Sequence, residues 1–207
     1  MKKMMIYLLL LLLIASIAAC GASKSEDDGV VDEEVSEEKN QQIDDKKLTD
    51  QAKGNAQSDE EFQKNLSLEM LNNLYEDAKK GKVYKVPNGI YVGKTTRKEV
   101  VNRIGEPEEQ DDYDHYHGSM GNASYAFRYN QNEILQEARY FGTNVERQTN
   151  LGGITEKDLR EQLGNPHELR TIDATNETNF IYDLNRYELQ FVIGEDGTAS
   201  HVNLKVK

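Results

Sequence analysis

The sequence predicts an α+β fold: an N-terminal helix followed by two tandem repeats of short helix plus antiparallel β-strands, with the sheet covered on one face. Three observations predict it. Apolar residues recur every fourth position from Phe62 to Leu74, the spacing of one helical stripe. The segment 92–107 can be laid on 151–166 at an offset of 59 residues without a gap. After each copy, apolar and polar residues alternate with period two, as in an antiparallel sheet buried on one side.

The chain begins with a short basic stretch, Met1-Lys2-Lys3, and an apolar run from Met4 to Ile17. That run of about 14 residues is shorter than the about 20 that span a bilayer. A basic start, a short apolar core and small residues at a cut site describe a cleaved targeting segment, placed at 1–19. Ile17-Ala18-Ala19-Cys20-Gly21 resembles the bacterial lipoprotein signal, in which a branched residue and two small residues precede the cysteine that takes a diacylglycerol. Cys20 is the expected lipid attachment, and two acyl chains give stable anchoring at about 0.8 kcal/mol per buried methylene. It is the only cysteine of the chain, so no intramolecular disulfide can form.

Residues 20–57 read as an acidic, disordered tether. Between 21 and 61 lie 14 acidic and 5 basic side chains, a net −9 out of the chain's −12. With almost no large apolar residue, such a segment cannot bury enough surface to offset its ordering entropy. The folded domain is expected at 58–207. Ser58 and Glu61 have the form of a capping box, and the stripe Phe62, Leu66, Met70, Leu74, with Leu71, Tyr75 and Ala78 beside it, predicts a helix over 58–81. Lys79 and Lys80 suit the negative end of its dipole, and Gly81 can close it.

Repeat one covers about 90–145 and repeat two about 150–207. In each, a threonine (Thr96, Thr155) caps a helix whose third residue is acidic (Glu99, Asp158). Apolar residues four apart (Val100 and Ile104; Leu159 and Leu163) supply its contact face, and Gly105 and Gly164 end it, each two residues before a proline. A helix of about eight residues is unstable alone and needs a sheet to lie on. Strands follow at Ser124–Tyr129 and Glu133–Phe141, the second with its inward face ambiguous between Ile134/Ala138/Tyr140 and Leu135/Phe141. In repeat two Phe180, Tyr182 and Leu184 share one side, as do Tyr187, Leu189, Phe191 and Ile193, then Val202, Leu204 and Val206. Glu195-Asp196-Gly197 marks a hairpin turn. Tyr113–His117 and Glu168–Ile172 are weaker strand patterns.

The Gly-x-Thr starts, the Gly-x-Pro stops and the antiparallel strands resemble the tandem fold of β-lactamase inhibitor proteins and the small outer-membrane assembly lipoproteins of the SmpA/OmlA type. More closely, Ala78 to Val83, the two Gly-x-Pro stops, Tyr187 to Val192 and His201-Val202 resemble the YjgB-like family, over roughly 66–206. These are exported proteins of Bacillus-type bacteria whose domain has no assigned function. The resemblance implies this fold and a Gram-positive cell surface; it supplies no catalytic residues, and fold does not fix function.

The run from Glu106 to His117 is the densest cluster of potential ligands, and His115 and His117 share a face if it is a strand. Its spacing fits no calcium loop, and zinc would need a third ligand, so a solvated acidic loop outweighs a metal site. Ser119 is in no nucleophile turn, and no phosphate-cradling glycine loop appears, so the chain is read as no enzyme and as needing no cofactor. The acidic balance opposes nucleic acid. What remains is the exposed side of the sheet, where alternation places Arg128, Glu188, Gln190, His201 and Lys205 as the binding face. The tyrosines, abundant in the ordered domain, are divided between that face and the core. The expectation is a membrane-anchored extracytoplasmic lipoprotein that binds another protein without catalysis; the alternative is a divalent-metal or small-ligand sensor.

Overall fold

The computed structural model describes residues 45–207 except 120 and 144, with side chains from Ser58 onward. The targeting segment 1–19, Cys20 and the tether up to residue 44 lie outside the described residues. Among the described residues there are three α-helices: α1 (Asp45–Ala78), α2 (Arg97–Ile104) and α3 (Glu156–Leu163). The strands are β1 (Glu109–Gln110), β2 (Asp114–Tyr116), β3 (Tyr125–Tyr129), β4 (Leu135–Tyr140), β5 (Glu168–Ile172), β6 (Glu177–Leu184), β7 (Tyr187–Ile193) and β8 (Ala199–Val206). They form one antiparallel sheet in the order β1-β2-β3-β4-β8-β7-β6-β5. The fold is therefore α+β and mostly β. Among the described residues no helix is long and apolar enough to cross a membrane.

Helix α1 starts at Asp45, well before the expected Ser58. Residues 45–57 carry no proline and are rich in Lys, Ala, Leu and Gln, all good helix formers. A capping box starts a helix only where the chain before it is not already helical, so Ser58 to Glu61 lie inside α1. The last part of the expected tether is thus helical. The buried stripe is also shorter than expected. Ser67, Met70, Leu71, Leu74 and Ala78 are buried, whereas Phe62 is 63% exposed. The helix first meets the body at Lys64 and Ser67, whose side chains both donate to the carbonyl of Gly153, at 2.9 and 3.2 Å. Gly153 permits this approach, because a Cβ there would lie 2.6 Å from that of Ser67. Phe62 precedes the buried Ser67 by more than a turn.

The helix closes as expected at Gly81, which has φ 71°. A Cβ there would lie 2.4 Å from the Tyr187 ring, so glycine is required twice over. The following segment has neither helical nor strand periodicity, yet buries Val83, Tyr84, Val86, Ile90 and Val92 in the core. Left-handed turns at Lys85, Asn88 and Gly89 fold it back on itself, and Val83 N–H donates to Ile90 O at 2.8 Å.

Both short helices have the expected caps. Thr96 and Thr155 accept from the backbone of Glu99 and Asp158, whose carboxylates reach back to the cap N–H. Both end at a glycine of positive φ, Gly105 at 94° and Gly164 at 82°. The inward face of β4, ambiguous by pattern, is settled by a bulge. Arg128 pairs with Glu137 and Tyr129 with Leu135, leaving Gln136 extra. The added residue flips the parity, so Leu135 and then Ala138 and Tyr140 all reach the core.

Candidate functional site

One face of the sheet is covered by the helices and the 82–92 segment; the other carries a polar groove of about 540 Å³. Alternation builds it. With Phe127, Ala138, Tyr140, Leu189, Phe191, Val202 and Leu204 turned to the core, the intervening residues must face away. Register then aligns them in rows across the strands. One row runs Arg128, Glu137, Lys205, Glu188, Asp183. The next runs His115, Ala126, Arg139, Asn203, Gln190, Ile181. A third includes His201, Val192 and Asn179.

At the first row sits a charge cluster. Glu137, only 2% exposed, accepts from Arg128 Nη2 at 2.5 Å, Arg139 Nε at 3.0 Å and the Tyr113 hydroxyl at 3.0 Å. Lys205 Nζ stands 3.8 Å from the same carboxylate, an ion pair without a hydrogen bond. Burial alone would raise the Glu137 pKa, but Arg139, Lys205 and Arg128 together hold it below the ordinary carboxylate value. Arg139 Nη2 also donates to the Tyr113 hydroxyl at 2.5 Å, and its guanidinium lies 4.1 Å from the centre of that ring. Burial, then Glu137, pushes the Tyr113 phenol up.

Beside the cluster lies an amide ladder. Gln190 Nε2 donates to Glu188 Oε2 at 2.8 Å, which fixes which end of the Gln190 amide is oxygen. That oxygen accepts from Asn179 Nδ2 at 3.1 Å and, more weakly, from Asn203 Nδ2 at 3.5 Å. The orientation of both asparagines follows, and their Oδ1 atoms are left buried with no partner; each residue is 6% exposed. His201 packs on Phe141 with ring centroids 5.4 Å apart and bonds Ser200 Oγ through Nδ1 at 2.9 Å. Burial, then Arg139, pushes its imidazole pKa down.

All five residues expected on the binding face are on this side. Arg128 is exposed, Glu188, His201 and Lys205 are half-buried, and Gln190 is buried beneath its neighbours. The pattern missed Glu137 and Arg139, because the Gln136 bulge hid the parity of β4. It also missed Asn179, whose position opposite Phe180 was a usable signal. Tyr113 is the tyrosine of the groove; Tyr84, Tyr116, Tyr125, Tyr140, Tyr182 and Tyr187 belong to the core. The groove is charged and amidic rather than aromatic.

The 106–117 cluster is arranged differently. His115 and His117 do share a face, their rings nearly parallel at 6.4 Å. They look to separate carboxylates, His115 to Asp111 at 3.0 Å and His117 to Glu109 at 3.8 Å. Among the described residues no three His, Cys, Asp or Glu side chains converge as a metal ion would need.

Residues 71–205 match the family model described as a domain of unknown function (DUF4309). The chain is 45% identical over 143 residues to the uncharacterized protein YjgB of Bacillus subtilis, covering 67% of this chain and 75% of that one. A crystal structure of that DUF4309 family protein aligns with a TM-score of 0.66 at 44% identity, over 69% of this chain and 99% of the other. With the matched segment running from the buried part of α1 to the last strand, the chain belongs to the DUF4309 family.

Proposed function

We propose that this protein is a membrane-anchored extracytoplasmic lipoprotein whose polar sheet face docks another protein without catalysis. The observation that carries the docking surface is the pair of buried, unpartnered amide oxygens on Asn179 and Asn203, on the sheet face that the helices leave uncovered. A buried acceptor without a donor costs about 1–3 kcal/mol, a cost that a bound partner's N–H or O–H would remove. The charged groups beside them satisfy one another around Glu137 rather than presenting a nucleophile with its base. The anchor rests on Ile17-Ala18-Ala19-Cys20 and the short apolar run before it.

The two halves of the sheet read as copies of one unit, in the manner of the β-lactamase inhibitor and SmpA/OmlA arrangements. Equivalent contacts support this. Tyr116 donates to Gly105 O at 3.3 Å and Tyr182 to Gly164 O at 3.2 Å. Thr96 bridges Ile134 as Thr155 bridges Thr198. Copies joined edge to edge at β4 and β8 give one broad face with the groove across their seam.

The docking surface is tested with a photo-crosslinking amino acid placed in turn at Arg128, Glu188 and Lys205, and at Lys98 and Lys157 on the helices. The three sheet positions are expected to yield one discrete adduct mass. Its purified component should bind the wild-type chain and lose binding to Arg128→Glu/Lys205→Glu. Equal adducts from the helix positions, or none from the sheet, would overturn the reading. The anchor is tested by growth with labelled palmitate: label is expected in the wild type and absent from Cys20→Ala, and an unlabelled wild type refutes it.

A further inference from the structure

The groove's lining is cationic in an acidic chain. Four cationic side chains line it (Arg128, Arg139, Arg170 and Lys205) against two carboxylates (Glu137 and Glu177), with Glu168 paired to Arg170 at 2.7 Å and Glu188 across from Lys205 at its edge, in a protein of net charge −12. Such a local inversion focuses field on an anionic ligand and steers its approach. Within the cluster the donors outnumber their acceptor. Glu137 has its two oxygens taken up by Arg128, Arg139 and Tyr113, and Lys205 is left at ion-pair distance. Arg128 gives the carboxylate a hydrogen bond from Nη2 alone, although a guanidinium carries five N–H donors in a fork that fits carboxylate. The half-exposed Arg128 and Lys205 therefore flank a place for a second carboxylate, with Glu137 beneath it holding the cations in position.

The second and third rows ask for the opposite chemistry. Asn179 Oδ1 and Asn203 Oδ1 are acceptors in need of donors, and the Glu188–Gln190 bond prevents either amide from turning over to satisfy itself. A ligand for all three rows carries an anion next to N–H groups. A peptide segment with an acidic side chain has both within one or two residues. A saccharide is disfavoured by the aromatic rings, which offer no free platform: Tyr113 is stacked under Arg139 and Phe141 lies against His201.

We infer that the groove receives an acidic segment of the partner, its carboxylate held by Arg128 and Lys205 and its amide N–H groups donated to Asn203 and Asn179. This rests on the docking reading above and gives it a chemistry. Glu137 is then a resident carboxylate that organises the cations for an incoming one.

The experiment uses the full chain in detergent micelles and a fluorescein-labelled peptide of alternating glutamate and glycine, read by anisotropy. Saturable binding is expected, and the same peptide with glutamine for glutamate should bind about tenfold more weakly, the scale of one charge-assisted contact. Arg128→Gln should weaken binding by a similar factor. Asn203→Val should also weaken it, yet its melting temperature should hold or rise, since the orphaned oxygen is gone. That opposition separates a ligand contact from a structural one. Lys157→Gln on α3 serves as the unaffected control. Equal binding of the glutamine peptide, or unchanged binding by Asn203→Val, overturns the inference. So does a sulfated dextran that binds the groove where the peptide does not. If the peptide fails while the sheet-face crosslinks form, the docking surface stands and its acidic ligand is wrong; if both fail, both readings fall.

Discussion

The two halves of the sheet, β1–β4 with α2 and β5–β8 with α3, each set a capped eight-residue helix beside four antiparallel strands, and they differ in the side chains that fill their rows. Register lays their rows side by side. In the second half Phe180, Phe191 and Val202 face one another across strands; in the first the row is Asp114, Phe127 and Ala138. The neighbouring row is Tyr182, Leu189 and Leu204 in the second half, and Tyr116, Tyr125 and Tyr140 in the first. So the second half's rows hold one polar-tipped side chain, Tyr182, and the first half's hold four, Asp114 and the three tyrosines. For Tyr125 the reason lies in the cover. Over the first half the 82–92 segment turns backbone toward the core, and Tyr125 donates to Tyr84 O at 3.1 Å. Alternation decides which residues point inward, but the groups above them decide whether a hydroxyl is needed there.

The caps differ in the same sense, and here the largest effect is expected. Glu99, whose side chain is 48% exposed, serves only α2 and its neighbour Arg103. Asp158, 7% exposed, caps α3 and also takes the ammonium of Lys64 from α1, so one carboxylate ties the N-terminal helix to the second half. Asp158→Ala should cost about 3 kcal/mol, at the lower end for a broken buried pair because Lys64 can reach water. Glu99→Ala should cost a small fraction of that, both read by urea denaturation. The difference has a pH signature. Burial favours the neutral Asp158 carboxyl, but the bonds from Lys64 and Thr155 outweigh it and hold the pKa below the ordinary 3.8. A depressed native pKa means the unfolded chain binds the proton more readily. The stabilisation is therefore whole above about pH 4 and drains as pH falls through the depressed value. Asp158→Ala should flatten that part of the acid limb, and an unchanged limb would remove the clamp from the account.

A smaller effect tests whether the first half can be finished like the second. Asp114 is buried and held by Arg97 Nε at 2.7 Å and Nη2 at 2.8 Å, where the second half has Phe180. Asp114→Ala should cost about 2 kcal/mol, softened because Arg97 is one-third exposed and can turn outward. Arg97→Leu with Asp114→Phe should restore most of it, since a packed apolar pair commonly equals a buried ion pair. A double variant worse than the single one would mean that the frame itself, and not only its filling, differs between the halves.

What the sequence made legible follows the same division. The caps at Thr96 and Thr155, the stops at Gly105 and Gly164 and the inward rows of β6, β7 and β8 were all readable, because each is a local rule acting on a regular element. The start of α1 was not, since Ser58 to Glu61 would cap a helix only if the chain before them were not helical. Nor was the 82–92 segment, whose burial comes from left-handed turns and has no period. On the groove side, Arg128, Glu188, Gln190, His201 and Lys205 followed from alternation. Glu137 and Arg139 did not, because one extra residue, Gln136, exchanges the faces of β4 midway. The meeting of Glu137 with Lys205 depends on the pairing of β4 with β8, strands about 70 positions apart in sequence, which no short-range pattern encodes.

The smallest effect bears most directly on whether the halves are equivalent. Tyr116 and Tyr182 each send a hydroxyl to the carbonyl of the glycine that ends the short helix of their own half, at 3.3 and 3.2 Å. Each ring is buried in the core, and burial pushes both phenols up to about 12. Neither hydroxyl titrates near neutrality, so Tyr→Phe removes one neutral hydrogen bond and leaves the ring packing alone. Tyr116→Phe and Tyr182→Phe should each cost about 1 kcal/mol, with slopes in urea unchanged. The double variant should lose the sum of the two, because the bonds lie in different halves and share no partner. Unequal single costs would show that the helix stop carries weight in one half only. A double loss larger than the sum would show that the two stops communicate through the seam between β4 and β8, making the frame one cooperative object rather than two similar ones joined at an edge.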